Sequence, residues 1–227
     1  MNMWTDILDL VFPPKCPFCR RLLKSGEEGL CNKCQVMLPW CLGGTEGRKI
    51  AGAEGCYAPL AYDGKVPEAI HRYKFAGLRC YANTFGHLMA QCAQDRIKNV
   101  EGIDGITWAP LSRKRLWERG YDQAKCLAEQ VSRELAVPVY PTLRKIRNTK
   151  PQSELEGDQL RRKNAAGAYE LQNDIQLTEK SFILVDDVVT SGATLETCVG
   201  LLREAGVKQV WCLTLAQAGK ERRERKN

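Results

Sequence analysis

Two segments of this 227-residue chain combine residue types that do chemistry. The first lies near the N-terminus, where Cys16-Pro17-Phe18-Cys19 and Cys31-Asn32-Lys33-Cys34 form two C-x-x-C pairs with 11 residues between them. Two residues between cysteines let both thiolates turn toward one ion, and two such knuckles close a tetrahedral four-sulfur shell. Arg20, Arg21 and Lys33 lie beside the knuckles and offset the excess negative charge of four thiolates on Zn²⁺. The expected metal ligands are Cys16, Cys19, Cys31 and Cys34, with Cys41 close enough in sequence to substitute for Cys34. A closed shell has no open position, so the zinc is expected to be structural. A thioredoxin-like redox pair fits poorly, because Pro17 and the lack of a preceding strand do not match that motif.

The second segment runs from Ser181 through Asp186-Asp187-Val188-Val189 to Thr190-Ser191-Gly192-Ala193-Thr194. It reads as a buried strand ending in two acids, then a loop of small residues opening a helix. In doubly wound sheets the ligand lies outside the carboxyl ends of the strands. Small loop residues let backbone N–H groups approach a phosphate, and the helix start adds its positive end. Asp186 and Asp187 stand where carboxylates can accept hydrogen bonds from vicinal ribose hydroxyls. Phosphate donors beside ribose acceptors describe a ribose-5-phosphate site. The chain has no G-x-x-x-x-G-K-[ST] and no G-x-G-x-x-G, which sets aside a P-loop and a dinucleotide site.

The elements that must position these residues follow from the apolar pattern. Cys56–Tyr62, Ile103–Ala109, Val137–Tyr140, Phe182–Val185 and Gln209–Leu215 read as strands. Val66–Phe75, Tyr81–Lys98, Asp122–Leu135 and Thr194–Ala205 read as helices. Strands that are continuous apolar runs alternating with helices predict an α/β fold, a parallel sheet with helices on both faces. The predicted domains are an N-terminal helix and four-cysteine module over residues 1–55, the α/β domain over 56–218, and a charged tail over 219–227.

Composition sets the compartment. Mean hydropathy is −0.38, and no apolar run reaches the roughly 18–20 residues of a membrane span. Met1–Leu10 carries Asp6 and Asp9 and no basic residue, unlike a secretory signal. The 11 cysteines are an odd number, which argues against a fully paired disulfide framework. A cytoplasmic, reducing location is expected. The net charge is +7, and Arg144–Ala168 alone holds seven basic against three acidic residues without a clear period. A stretch of that length inside a compact domain is expected to be a functional lid or disordered.

Val185–Thr194 resembles the phosphoribosyl-pyrophosphate (PRPP) motif of type I phosphoribosyltransferases, two acids after a strand and then T-[ST]-G-x-T. The double C-x-x-C, Ala109-Pro110-Leu111, Arg119-Gly120-Tyr121-Asp122-Gln123-Ala124, Arg147-x-Thr149-x-x-Gln152 and Arg162-x-Asn164 precede it in order. Together they resemble the ComF family, its ComFC-like branch, over about Phe12–Leu215. The family more often shows Phe-Asn at Tyr121-Asp122, so Asp122 places a charge at a neutral position. The resemblance implies a type I phosphoribosyltransferase-like domain in which Asp186, Asp187, Thr190, Ser191, Gly192, Ala193 and Thr194 bind PRPP with Mg²⁺. It implies a pyrophosphate-binding basic loop containing Arg113, Lys114 and Arg119, and a lid carrying Arg147, Gln152 and Arg162 as catalytic residues. Lys74-Phe75 matches a family Lys-[FY] pair, with no role assigned.

Two functions are compatible with these features. One is Mg²⁺-dependent transfer of phosphoribosyl from PRPP to an acceptor that the sequence does not specify. The other is a binding module that retains the PRPP site as a sensor or vestige and handles single-stranded DNA. The resemblance then implies a ComF helicase and DNA-processing proteins as partners in natural transformation. Trp117, Tyr121 and Trp40 are the candidate stacking surfaces, although each is expected in the core. Metal analysis of purified protein should return one zinc per chain; a clearly lower content in metal-replete preparations would contradict the four-cysteine site.

Overall fold

The computed structural model describes residues 13–41, 48–147, 167–172 and 176–219. In chain order its principal elements are α1 (Asn32–Met37), β1 (Gly55–Tyr57), β2 (Leu60–Ala61), α2 (Val66–Phe75), α3 (Tyr81–Arg96), β3 (Gly105–Trp108), α4 (Arg113–Arg119), α5 (Gln123–Leu135), β4 (Leu143–Lys145), β5 (Tyr169–Leu171), β6 (Ser181–Val189), α6 (Ala193–Glu204) and β7 (Gln209–Gln217). The main sheet has the order β1-β7-β6-β3, with β2 also on β7, and every pairing in it is parallel. A second, antiparallel pair joins β4 to β5.

Period-two alternation divides the strand residues between two helical layers. Ile183, Val185, Trp211, Leu213 and Leu215 pack in one cluster with Ile70 and Tyr73 of α2, Phe85 of α3 and Leu127 of α5. Phe182, Leu184, Val210 and Cys212 pack in the other with Leu195, Cys198, Val199 and Leu202 of α6. The predicted α/β architecture with helices on both faces is therefore present. The four-cysteine module joins the first cluster through Cys16, Phe18, Leu30, Cys31, Cys34 and Leu38. The Phe18 ring lies 5.5 Å from Phe85, and Tyr73 meets Phe85 edge-on at 5.5 Å.

The structure differs from the sequence reading in several elements. The strand expected over Cys56–Tyr62 is two short pieces, β1 and β2, interrupted at Ala58-Pro59; proline has no N–H for the ladder. Val137–Tyr140 makes a single bridge, Ile106 to Val139, around Pro138. The strand expected to stop at Val185 continues through both acids to Val189, held by β7 at Asp186–Thr214, Val188–Ala216 and Val189–Gln217. The basic loop after β3 is a helix, α4, capped by the Ser112 Oγ at its start and by Gly120 at φ 76° at its end. No residue of α4 is buried, and Trp117 is 87% exposed, contrary to the expected core position. Trp40 and Tyr121 are half-buried against the first cluster, as expected of core side chains. The expected helix over residues 1–12, connector residues Gly43, Gly44 and Gly47, residues 148–166 of the lid and tail residues 220–227 lie outside the described residues.

Close approach of α3 to α5 depends on Gly86, where a Cβ would lie 2.4 Å from the Cβ of Gln130. Gly86→Ala gains helix propensity of about 1 kcal/mol but forces the helices apart, which costs about 1–3 kcal/mol. The variant should unfold at lower denaturant with an unchanged m-value; an equal or higher midpoint would mean the contact relaxes freely.

Candidate functional site

Asp186 and Asp187 are neighbours in an extended strand, so they leave β6 on opposite faces. Asp187 is buried on the face of α2 and α5. The Lys74 Nζ at the end of α2 donates to its Oδ1 at 2.7 Å, and Gln123 Nε2 at the start of α5 donates to Oδ2 at 3.0 Å. Gln123 is itself placed by Tyr73, whose hydroxyl donates to the Gln123 carbonyl at 2.8 Å. Lys74 thus has a role that its sequence match left open. Gln123 was legible only as part of a motif.

Asp186 is half-buried on the α6 face and accepts the Asp187 N–H at 2.8 Å. Burial pushes its carboxyl up from 3.8 to about 7, the Asp187 charge adds to the rise, and Lys74 and Lys145 oppose it. Lys145 reaches this face from β4, donates to the Tyr169 hydroxyl at 3.0 Å and lies 4.7 Å from the Tyr169 ring centroid. Burial holds Lys145 down to about 8, Arg115 adds to the depression, and Asp186 opposes it. Neither Lys145 nor Tyr169 was singled out from sequence, because β4 and β5 are three residues each and meet only through long-range pairing.

The loop after β6 places Thr190, Ser191, Gly192, Ala193 and Thr194 at the start of α6. Ser191 Oγ accepts the Ala193 N–H at 3.4 Å. Gly192 is the N-cap with φ 88°, a left-handed conformation that favours glycine, and a Cβ there would push on the Ile50 Cδ1 at 2.7 Å. The first N–H groups of a helix have no acceptor within it, and they carry its positive end. This end therefore suits an anion between the loop and Asp186.

A basic cleft of about 270 Å³ is lined by Ser112, Arg113, Lys114, Arg144, Lys145 and Ile146. It brings Arg113 and Lys114 to the strand that carries Lys145. Arg119 is at the other end of α4, with its guanidinium 4.8 Å from the Phe75 ring centroid. Arg147 is exposed and donates from Nε to the Gly167 carbonyl at 2.8 Å. Gln152 and Arg162 lie outside the described residues, as does Thr149. Asp122 caps α5: Oδ1 accepts from the Ala124 and Lys125 N–H groups at 3.1 and 3.2 Å, and Oδ2 from Leu111 at 2.9 Å. The charge at this position therefore ties the loop after β3 to a helix start, and burial pushes its carboxyl up.

The sulfur atoms of Cys16, Cys19, Cys31 and Cys34 all lie within 4.8 Å of one another. Zn–S bonds of about 2.3 Å give tetrahedral edges of about 3.8 Å, so the four fit one zinc ion. Cys41 is outside this group and accepts from Gln217 Nε2 at 3.4 Å, which leaves Cys34 as the fourth ligand. Glu27 braces the second knuckle, accepting from the Lys24 and Asn32 N–H groups at 2.8 and 3.0 Å and from Arg21 at 2.5 Å. These bonds hold its carboxyl down to about 2.

The fold and these two centres define a phosphoribosyltransferase-type domain with a zinc ribbon built onto it. The Phosphoribosyl transferase domain model matches residues 123–227, and the Double zinc ribbon domain model matches residues 7–46. Competence protein F of Haemophilus influenzae is 30% identical over 225 residues, covering 90% of this chain and 97% of that protein. DNA utilization protein YhgH of Escherichia coli K12 is 28% identical, covering 90% of this chain and 98% of that protein. Competence protein ComFC of Streptococcus pneumoniae is 25% identical over 202 residues, covering 89% of this chain and 80% of that protein. The chain belongs to the competence protein F family.

The raised carboxyl of Asp186 makes stability depend on pH. The folded state keeps this proton up to about pH 7, whereas the unfolded chain releases it near 3.8. The contribution is full below the unfolded value and is lost as pH rises through the folded one. Asp186→Asn removes it, so the variant should gain stability relative to wild type as pH rises from about 4 to about 7. Denaturant midpoints that keep a constant offset across that window would contradict the assignment.

Proposed function

We propose that the protein binds PRPP with Mg²⁺ at the end of β6 and transfers its phosphoribosyl group to an acceptor. The observation that carries this reading is Asp187, buried and held from two helices, on the strand whose loop leads into a glycine-capped helix start. The 5-phosphate is received by the N–H groups and hydroxyls of Thr190, Ser191, Gly192, Ala193 and Thr194. At the end of β6, Asp186 accepts from the ribose hydroxyls, and Asp187 does so through the lone pairs that Lys74 and Gln123 leave open. The pyrophosphate lies toward Arg113, Lys114 and Lys145, with Arg119 at the far end of the same helix. Arg147, Gln152 and Arg162 are the catalytic residues of this reading, the two arginines offsetting the charge that develops as the C1–O bond breaks and Gln152 donating hydrogen bonds.

The transition state is oxocarbenium-like, the acceptor's lone pair forms the new bond at C1, and pyrophosphate leaves with the electrons. No protein nucleophile is needed, so catalysis consists of positioning and charge stabilisation. Asp186 offers the hard oxygen ligand that Mg²⁺ prefers, and the ion when bound neutralises charge on the leaving group.

A second reading rests on α4. Trp117 is 87% exposed on a helix that also carries Arg113, Lys114, Arg115 and Arg119. An exposed indole among cations suits stacking and backbone contact with single-stranded DNA. Relatives named for competence and DNA utilization favour this reading, and it places the protein with a competence helicase and DNA-processing proteins in the cytoplasm. No helix among the described residues is long and apolar enough to cross a membrane.

Titration with PRPP should show Mg²⁺-dependent binding, and a screen of base and nucleoside acceptors should find pyrophosphate release with at least one. Asp186→Asn combined with Asp187→Asn should weaken PRPP binding at least about tenfold. Binding without release for any acceptor would remove the transfer step, and no binding would remove the whole reading. Binding of a labelled single-stranded oligonucleotide should fall steeply between about 50 and 200 mM salt. It should weaken about tenfold on Trp117→Ala and persist in the double Asp variant; absent or salt-independent binding rejects the DNA reading.

A further inference from the structure

We infer that Arg72 is a positioning residue through which the zinc ribbon sets the geometry of the phosphoribosyl site. The inference rests on the proposed PRPP reading for its ligand and on the contacts of α2 for its mechanism. Arg72 does not face the β6 loop. Its Nη2 donates to the carbonyls of Pro17 and Phe18 at 2.8 and 3.2 Å, the two residues between ligands Cys16 and Cys19. A zinc ion held by Cys16 and Cys19 would close this knuckle and fix the orientation of those carbonyls. Two residues further along the same ten-residue helix, Lys74 makes its 2.7 Å bond to Asp187. A helix is stiff over so short a distance, so a shift at Arg72 is carried to Lys74, where about 1 Å breaks a hydrogen bond.

A second chain of contacts runs parallel to the first. Phe18 of the knuckle packs on Phe85, Phe85 on Tyr73, Tyr73 bonds the Gln123 carbonyl, and Gln123 bonds the other oxygen of Asp187. Both partners of the buried carboxylate therefore trace back to the residues between two zinc ligands. The ribbon holds Asp187 in place without touching the ligand, and loss of zinc or oxidation of its thiolates loosens the PRPP site from a distance.

Amide hydrogen exchange of the zinc-loaded protein reads this directly and needs no PRPP. Arg72→Ala, with zinc content unchanged, should speed exchange several-fold over residues 186–194 while leaving Gly105–Trp108 of β3 at the wild-type rate. Arg72→Lys, which keeps a donor, should restore part of the protection. If the alanine variant does not fold, zinc withdrawal from the wild-type protein by a chelator should produce the same pattern. Unchanged exchange over 186–194 overturns the inference, and so does a rise spread equally over every strand, which assigns Arg72 to global stability. PRPP titration supplies the coupling: Arg72→Ala should weaken binding about tenfold in the wild type and less than about twofold in a Lys74→Ala background. Additive losses overturn the route through Lys74. A wild-type protein that binds no PRPP rejects the proposed function and leaves the exchange pattern to decide the role of Arg72.

Discussion

A carboxylate buried at the carboxyl end of a central strand needs opposite charge and hydrogen bonds, and Asp187 receives both from two different helices. Removing one partner from such a buried pair costs about 3–5 kcal/mol, because the remaining charge is left uncompensated. The position of β6 against α2 and α5 is thereby tied to one polar contact set, Lys74, Gln123 and Asp187. The apolar layer around it, with Tyr73, Phe85 and Val185, excludes water and strengthens those bonds. On the other face of the same strand Asp186 has no such close pairing and is left with a raised carboxyl near Lys145. One strand thus presents a fixed acid and an adaptable one side by side.

Among the described residues, basic side chains gather beside that strand. Arg113 and Lys114 from α4 and Arg144 and Lys145 from β4 line one cleft, so cations far apart in sequence converge there. A small polyphosphate accounts for that convergence with the fewest assumptions. The indole of Trp117 and the outward face of α4 are additional surface that a phosphoribosyl ligand does not need. The zinc ribbon contributes apolar side chains to the main core, which makes it part of the domain's packing as well as a metal site.

Much of this was legible in the sequence because the signals are local. The C-x-x-C spacing identifies its own ligands, and two acids followed by T-S-G-A-T identify a strand, a loop and a helix within 14 residues. The helices α2 and α5 were read to within a residue from apolar periodicity. What was not legible depends on distance or on the lack of a pattern. Lys74 and Asp187 are separated by 113 residues, and nothing near Lys74 in sequence announces a buried carboxylate. The resemblance implies a basic loop at R-K-R-L-W-E-R, whereas the segment is helix α4, with caps at Ser112 and Gly120. Trp117 is expected inside because tryptophan usually is, and only the fold shows that α4 buries none of its residues. Asp122 reads as a charge at a position the family leaves neutral, and the fold shows what it serves, because three backbone N–H groups occupy it.

The central claim is that Asp186, Asp187 and the start of α6 form a phosphoribosyl site. A crystal structure of the zinc-loaded protein with PRPP and Mg²⁺ tests it most directly. The account predicts the 5-phosphate within hydrogen-bond distance of backbone N–H groups in residues 190–194, the ribose hydroxyls on the two acids, and the Lys74–Asp187 contact unchanged. PRPP bound elsewhere, or a ligand whose phosphate avoids the Thr190–Thr194 loop, would contradict it.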